Sequence, residues 1–343
     1  MFNQNSVAEG EWIFGIPTVA TPFAREEPAG ELRPIPAASA RLPDALNTNK
    51  HLKAMNSPIQ SRREFLKRSA LATAAACAAA TPFRLLADGE YGGNKIPIGL
   101  QLYSVRNECG KDLPATIAAV GKMGYKGVEF AGYYGRDAKT LRKLLDDAGL
   151  KCCGTHTGMD TLLGDNLAKT IEFNQTLGNK FLIVPSLSGK YTKTRQAWAD
   201  TAKLFNELSE KVTPQGMRVG YHNHTIEFKE LDGEMPWDTF FGHTKKEVIM
   251  QFDTGNAMHG GGDATVYLKK YPGRAASVHV KPFSKTKGNA LMGDDELPWK
   301  EIFRLCENGG STEWYVIEYE SNAYPPLVSV EKSLEVMRKW GKC

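Results

Sequence analysis

Eight alternations of a short β-rich run with a helical period predict a (β/α)8 TIM barrel, a single α/β domain behind an N-terminal signal segment. Three observations carry that prediction. From residue 96 the runs and helices alternate without a break. Each run is apolar enough to be covered on both faces, as parallel strands are. The eight units fit in about 250 residues, the usual size of such a barrel. A doubly wound open sheet is the other α/β arrangement to consider, but no Gly-rich phosphate turn follows the first run.

The strand runs are Ile98–Ser104 (IGLQLYS), Lys126–Ala131 (KGVEFA), Lys151–Thr157 (KCCGTHT) and Lys180–Pro185 (KFLIVP). Arg218–His224 (RVGYHNH), Val248–Thr254 (VIMQFDT), Ala276–Pro282 (ASVHVKP) and Trp314–Glu320 (WYVIEYE) complete the set. The helical periods between them carry start and stop signals. DLPATIAAVGKMG opens on an Asp112 cap and stops at Gly124. AKTLRKLLDDAGL stops at Gly149, DNLAKTIEFNQTLG at Gly178, and LPWKEIFRLCENGG at Gly309-Gly310.

The chain has 343 residues, 41% hydrophobic and 24% charged, which excludes collagen-like, disordered and disulfide-scaffold classes. Its 43 Lys/Arg against 39 Asp/Glu are unevenly spread: residues 88–343 hold 33 and 32. So neutral a body offers no long-range attraction to a polyanion, and nucleic acid is not an expected partner. No run of 18 strongly apolar residues is present, so no stable membrane insertion is expected once the signal is removed.

Residues 61–87 read SRREFLKRSALATAAACAAATPFRLLA. Arg62-Arg63 with Phe65, Leu66 and Lys67, a small-residue stretch from Ala70 to Ala80 and an Ala-ending site at Leu85-Leu86-Ala87 resemble a twin-arginine export signal. The expected location is the periplasm, with lipid anchoring at Cys77 as the alternative. Such substrates cross the membrane folded, which suits a protein loaded with metal beforehand. Residues 1–60 precede the signal with Pro, Ala, Glu and Asn and no sustained period, and read as a disordered leader or a wrongly assigned start, with Met55 opening a normal n-region. Residues 88–343 form the barrel. Outside the signal five cysteines remain, without CxxC spacing, and read as small buried apolar residues rather than a thiolate site.

In a TIM barrel the chemistry gathers at the C-terminal ends of the strands. Those ends are polar here: Glu129, His156, His222-Asn223-His224, Asp253, His279 and Glu318. A single histidine there is most simply a core or surface residue. Five converging on one rim, counting His259, are not. Imidazole and carboxylate together suit Zn, Mn or Co better than Mg. Alternate residues of a strand share a face, so His222 and His224 lie together, as do Ser277, His279 and Lys281, and Val316, Glu318 and Glu320.

GVEF, YHNHTIEF, FDTGN, VHVKPF and VIEYE, in this order and at these strand ends, resemble the xylose isomerase-like TIM-barrel superfamily. More narrowly, they are similar to its sugar phosphate isomerase/epimerase group, which often carries a twin-arginine signal. The resemblance covers about residues 96–340. It implies one divalent metal ion held from strands five to eight: Asp253, His279 and Glu318 by their motifs, and His222 on strand five, with His224 as the alternative. Epimerases of the superfamily carry a Glu on strand five that is also an acid/base group; YHNH has none, so a two-carboxylate proton relay would lose a member.

The implied chemistry is isomerisation or epimerisation of a sugar or keto-sugar, by proton abstraction beside a carbonyl. A metal-bound carbonyl acidifies the neighbouring C–H. Glu318 or His224 would take that proton, and Lys281 would stabilise developing negative charge. Gln101, Glu129, His156, Asn256 and His259 are the expected substrate-hydroxyl binders, Asn256 and His259 from a glycine-rich loop closing over the sugar. For Glu129 a second role, orienting a metal-bound histidine, is open.

The alternative is a lyase or dehydratase removing a β-substituent from a 3-keto-glycoside or inosose-like substrate, which suits single-base chemistry. A non-catalytic sugar-binding barrel and an abasic-site endonuclease are further readings; the neutral body argues against the last. Export argues against a phosphorylated substrate. The expected partner is a small carbohydrate, and a homo-oligomer stays open.

Overall fold

The structure, a computed structural model, describes residues 95–309 and 311–343. The leader, the signal segment and Cys77 lie outside the described residues. Eight parallel strands close in sequence order into one barrel. They are β1 (Ile98–Gln101), β2 (Gly127–Phe130), β3 (Lys151–His156), β4 (Phe181–Val184), β5 (Arg218–His222), β6 (Ile249–Asp253), β7 (Ser277–Val280) and β8 (Trp314–Ile317). Pairing of Ile98 with Tyr315 and Leu100 with Ile317 completes the closure. The predicted (β/α)8 barrel is the observed fold.

Eight outer helices follow the strands: α1 (Leu113–Met123), α2 (Ala138–Asp147), α3 (Asn166–Leu177), α4 (Arg195–Val212), α5 (Pro236–His243), α6 (Ala264–Lys270), α7 (Trp299–Gly309) and α8 (Pro326–Lys339). Asp112 caps α1 by accepting from the Ala115 N–H at 3.0 Å, and Gly124 and Gly178 end α1 and α3 in the left-handed region. No described helix is long and apolar enough to cross a membrane. Cys109, Cys152, Cys153 and Cys306 are buried and unpaired, and Cys343 is exposed.

Two expectations are corrected at strand ends. The first strand was expected to reach Ser104, but it stops at Gln101. There the side-chain Oε1 accepts from the Tyr103 N–H and turns the chain into a 3-10 segment, Leu102–Val105. The DTGNAMHG segment is a helix, Thr254–Gly260, rather than an open loop. Asp253 caps it, its Oδ1 accepting from the Asn256 N–H at 2.6 Å.

The large core lies between sheet and helices. A second, small cluster of Phe181, Ile183, Ile249 and Ala276, with Trp314 against it, fills the N-terminal end of the barrel interior. Gly220 belongs to this floor: a Cβ there would stand 2.6 Å from Ile249 Cβ and 2.8 Å from Ile183 Cδ1. Counting inward-facing positions up β6 gives Ile249 in the floor, Gln251 above it and Asp253 at the top, a climb from apolar to polar to charged. The fold thus seals one end of the barrel and opens the other.

Candidate active site

The top layer is built from the ends of four adjacent strands. His222 and Asp253 are the last residues of β5 and β6, His279 is third in β7, and Glu318 directly follows β8. All four are buried, and one ligand-type atom from each lies within 4.8 Å of every other. Asp253 spends Oδ1 on its helix cap, which leaves Oδ2 buried with no hydrogen-bond partner. Such an orphaned carboxylate oxygen is costly unless something else meets it. Two imidazoles, a free carboxylate oxygen and a second carboxylate suit a Zn, Mn or Co ion, so the residues fit a divalent metal.

A polar layer lies directly beneath. Glu129 accepts from Gln101 Nε2 at 2.9 Å and from His279 Nε2 at 2.6 Å on one oxygen, and from Gln251 Nε2 at 2.7 Å on the other. His156 Nε2 stands 3.2 Å from the first oxygen. The contact with Glu129 turns His279 so that Nδ1 faces the top layer, 2.6 Å from Glu318 Oε2 and 3.7 Å from Asp253 Oδ2. A carboxylate behind an imidazole is the arrangement that orients histidine ligands. A second grouping, His156 with His222 and His279, also comes within range. There His156 Nε2 is already given to Gln251 at 2.9 Å, while Gln101 Nε2 lies 3.3 Å from its Nδ1. The quartet is therefore the group whose ligand atoms are either unpartnered, as Asp253 Oδ2 is, or paired within the group, as His279 Nδ1 and Glu318 Oε2 are.

Charge follows this geometry. Burial alone would raise the Glu129 carboxyl, but the neighbouring His156 and His279 hold it far below the usual carboxylate range. Burial would lower His279; the charge of Glu129, the nearby Asp253 carboxylate and hydrogen bonds to Glu129 and Glu318 push it well above an ordinary imidazole instead. For His222, burial together with His279, His156 and His224 lowers the pKa strongly, and the charge of Glu318 offsets only part of this. Burial opposes ionisation of Glu318, and Lys281 and His279 overturn that.

Lys281 Nζ reaches Glu318 Oε1 at 3.2 Å and also bonds Glu320. Burial disfavours its ammonium, yet Glu318, Asp253 and Glu320 raise its pKa further than burial lowers it. His224 stands at the mouth, its ring 5.0 Å from that of His222. Neither of its ring nitrogens makes a hydrogen bond among the described residues. Although it keeps solvent access, crowding by the mouth lowers its pKa below 6.5, against the pull of Glu318 and Asp253. Glu227 anchors this corner, accepting from the Tyr221 hydroxyl at 2.5 Å and the His224 N–H at 2.9 Å.

Residues 117–340 match the family model described as xylose isomerase-like TIM barrel. The chain belongs to that family. An inosose dehydratase of Clostridium botulinum is 24% identical over 276 residues, covering 68% of this chain and 92% of its own. In the same xylose isomerase-like fold, a sugar phosphate isomerase/epimerase from Parabacteroides distasonis superposes with a TM-score of 0.63 at 25% identity, over 72% of this chain and 98% of its own. A D-allulose 3-epimerase from Methylomonas, solved with D-allulose, superposes with a TM-score of 0.57 at 13% identity, over 72% and 98%.

The expected substrate binders stand at different depths in the barrel. Gln101 and Glu129 are fully buried beneath the mouth with their polar atoms engaged, and His156 shares that layer. Asn256 is buried in the short helix after β6, donating to the Asn223 carbonyl at 3.2 Å. His259 is exposed at the rim, its ring 4.7 Å edge-on from Phe283. Sequence reading missed Gln251 and Asn223. Alternation up β6 placed Gln251 on the Asp253 face, and Asn223 lay between the two histidines of YHNH; either pattern was the available signal.

Proposed function

We propose that this protein is a metal-dependent lyase that eliminates water or an alcohol β to the ketone of a cyclic keto-polyol or keto-glycoside. The observation that carries the reading is His224, a neutral imidazole beside the quartet with both nitrogens uncommitted. At the strand-five position where the family resemblance implies a Glu in epimerases, this chain has His222, with Nδ1 3.1 Å from Gln251. The curated relative named inosose dehydratase supports the same direction.

His222, Asp253, His279 and Glu318 would hold the metal. When bound there, the ion would supply Lewis-acid charge to the substrate ketone and so acidify the C–H beside it. An unprotonated ring nitrogen of His224 accepts that proton as the C–H bond becomes the new C=C. The C–O bond at the β-carbon breaks, and the imidazolium returns the proton to the departing oxygen, so water or alcohol leaves and no proton is consumed. Lys281, fixed by Glu318 and Glu320, places positive charge beside the developing oxyanion. Its occupation by two carboxylates, and the signal expected at residues 61–87, favour an unphosphorylated substrate met in the periplasm.

Epimerisation is the second reading, favoured by the epimerase among the structural neighbours. Incubation of metal-loaded protein with a methyl 3-keto-glucoside and with an inosose in D2O separates the two. Elimination releases methanol or water and forms a conjugated enone seen in the ultraviolet. Deuterium incorporated beside the ketone, with the β-substituent retained and an epimer formed, would replace the lyase reading with the second.

A further inference from the structure

Gln251 occupies the centre of the buried layer. Its Nε2 donates to Glu129 Oε1 at 2.7 Å and Ser277 Oγ at 3.0 Å. Its Oε1 faces His156 Nε2 at 2.9 Å and His222 Nδ1 at 3.1 Å. The amide therefore makes the four hydrogen bonds its chemistry allows, with no exposure to water. Which way it points is not free. An ionised carboxylate only accepts, so the Gln251 nitrogen must face Glu129 and its oxygen must face the two imidazoles. Each imidazole must then present an N–H: His222 at Nδ1 and His156 at Nε2.

The neighbouring amide of Gln101 is also fixed in direction. The Tyr103 N–H fixes Gln101 Oε1, so Gln101 Nε2 faces Glu129 and His156. That nitrogen lies 3.3 Å from His156 Nδ1 and 3.4 Å from its Nε2, so the His156 tautomer is set by the Gln251 contact. Two amides are thus fixed in direction by independent partners, Gln251 by a carboxylate and Gln101 by a backbone N–H. Buried networks of this kind tolerate one polarity only, because reversal would leave several groups unsatisfied together.

We infer that Gln251, polarised by Glu129, is a positioning residue that locks His222 in the Nδ1–H tautomer and so presents an unprotonated Nε2 to Asp253, His279 and Glu318. The consequence for metal affinity rests on the metal-dependent reading above; the tautomer itself does not.

The test uses the full chain labelled with 15N at histidine, stripped of metal, with long-range 15N–1H correlation to assign each tautomer. In the wild type His222 is expected as Nδ1–H and His156 as Nε2–H. Gln251→Met, close in volume but unable to accept at that oxygen, is expected to lose the His222 tautomer and to weaken Zn binding by about 10- to 100-fold in calorimetry. Ser277→Ala removes an acceptor but not the polarising carboxylate, and is expected to keep both tautomers. A wild-type His222 protonated at Nε2 overturns the inference, as does a Gln251→Met protein with His222 unchanged. Wild type that binds neither Zn nor Mn overturns the metal reading while the tautomer assignment still decides this one.

Discussion

The Asn223 side chain pairs with the main chain of Asp253, donating from Nδ2 to its carbonyl at 3.0 Å and accepting its N–H at 2.8 Å. An amide side chain thereby extends the β5–β6 ladder one step beyond the backbone pairing of His222 with Gln251. Asn223 is fully buried, so both bonds lie away from competing water. The two motifs YHNH and FDTGN are one structural unit, with a metal-type ligand on each side of the pair.

Replacing Asn223 by Asp keeps the size but removes the donor and sets a carboxylate against the Asp253 carbonyl. The expected cost is about 1–3 kcal/mol of stability, the usual penalty for an unsatisfied buried polar group. Zn affinity should fall with it, because Asp253 loses its anchor. Urea denaturation and calorimetry of N223D measure the two effects separately.

Gly154 gives Glu129 its seat. A Cβ at 154 would stand 2.2 Å from Glu129 Oε1 and 3.1 Å from its Cδ, so one must move. Gly154→Ala is expected to destabilise by about 1–3 kcal/mol, as overpacking of a filled interior does, and to disturb His279 and Gln251 through Glu129. Gly110→Ala is the control: it lies in the helix Arg106–Lys111 with nothing within 4 Å of the new methyl. There a gain of up to about 1 kcal/mol is expected, since Ala outranks Gly in a helix. Thermal melts of the two variants should move in opposite directions.

The barrel was legible because its signals are local. Strand alternation, the Asp112 cap and the closing glycines survive in any tertiary context that leaves both strand faces covered. The quartet was legible for a related reason: a ligand at a strand end is one step from the pattern that defines the strand, so locating β5 to β8 located His222, Asp253, His279 and Glu318. Depth was not legible. Gln101 ends its strand, and Glu129 stands one residue short of the end as His279 does, yet inward residues of neighbouring strands sit at different heights, and only the closed register puts these two beneath the mouth. The helix after Asp253 was hidden by its glycines, which read as a loop until Asp253 is seen capping it.

Glu227 makes stability pH-dependent. Burial raises its pKa above the ordinary 4.5, and hydrogen bonds from Tyr221 and from the Glu227 and His224 backbones only partly offset this. A carboxyl whose folded pKa is raised contributes its full stability below the unfolded value and loses it as pH rises through the folded value. Wild type should therefore gain stability relative to E227Q as pH falls from 7 toward about 4.5, the unfolded value. Denaturation midpoints of both proteins across that window test the sign; parallel curves would place the Glu227 carboxyl at its ordinary pKa.

His222 and His224 share a strand face but not a role. His222 is buried with Nδ1 held by Gln251, and its ligand atom lies among those of Asp253, His279 and Glu318. His224 is exposed at the mouth and outside that group. The two alanine variants should therefore fail differently. His222→Ala is expected to lose Zn or Mn binding, and activity with it. His224→Ala should bind the metal within about twofold of wild type, while kcat falls about 10²- to 10⁴-fold, the usual contribution of a positioned acid/base group. Imidazole added to the His224→Ala protein should restore part of the rate, because the missing group acts by moving a proton, and added imidazole should do nothing for His222→Ala supplied with excess metal. If instead His224→Ala releases the metal and His222→Ala keeps it, the strand-five ligand is His224, and the base must be sought at Glu318.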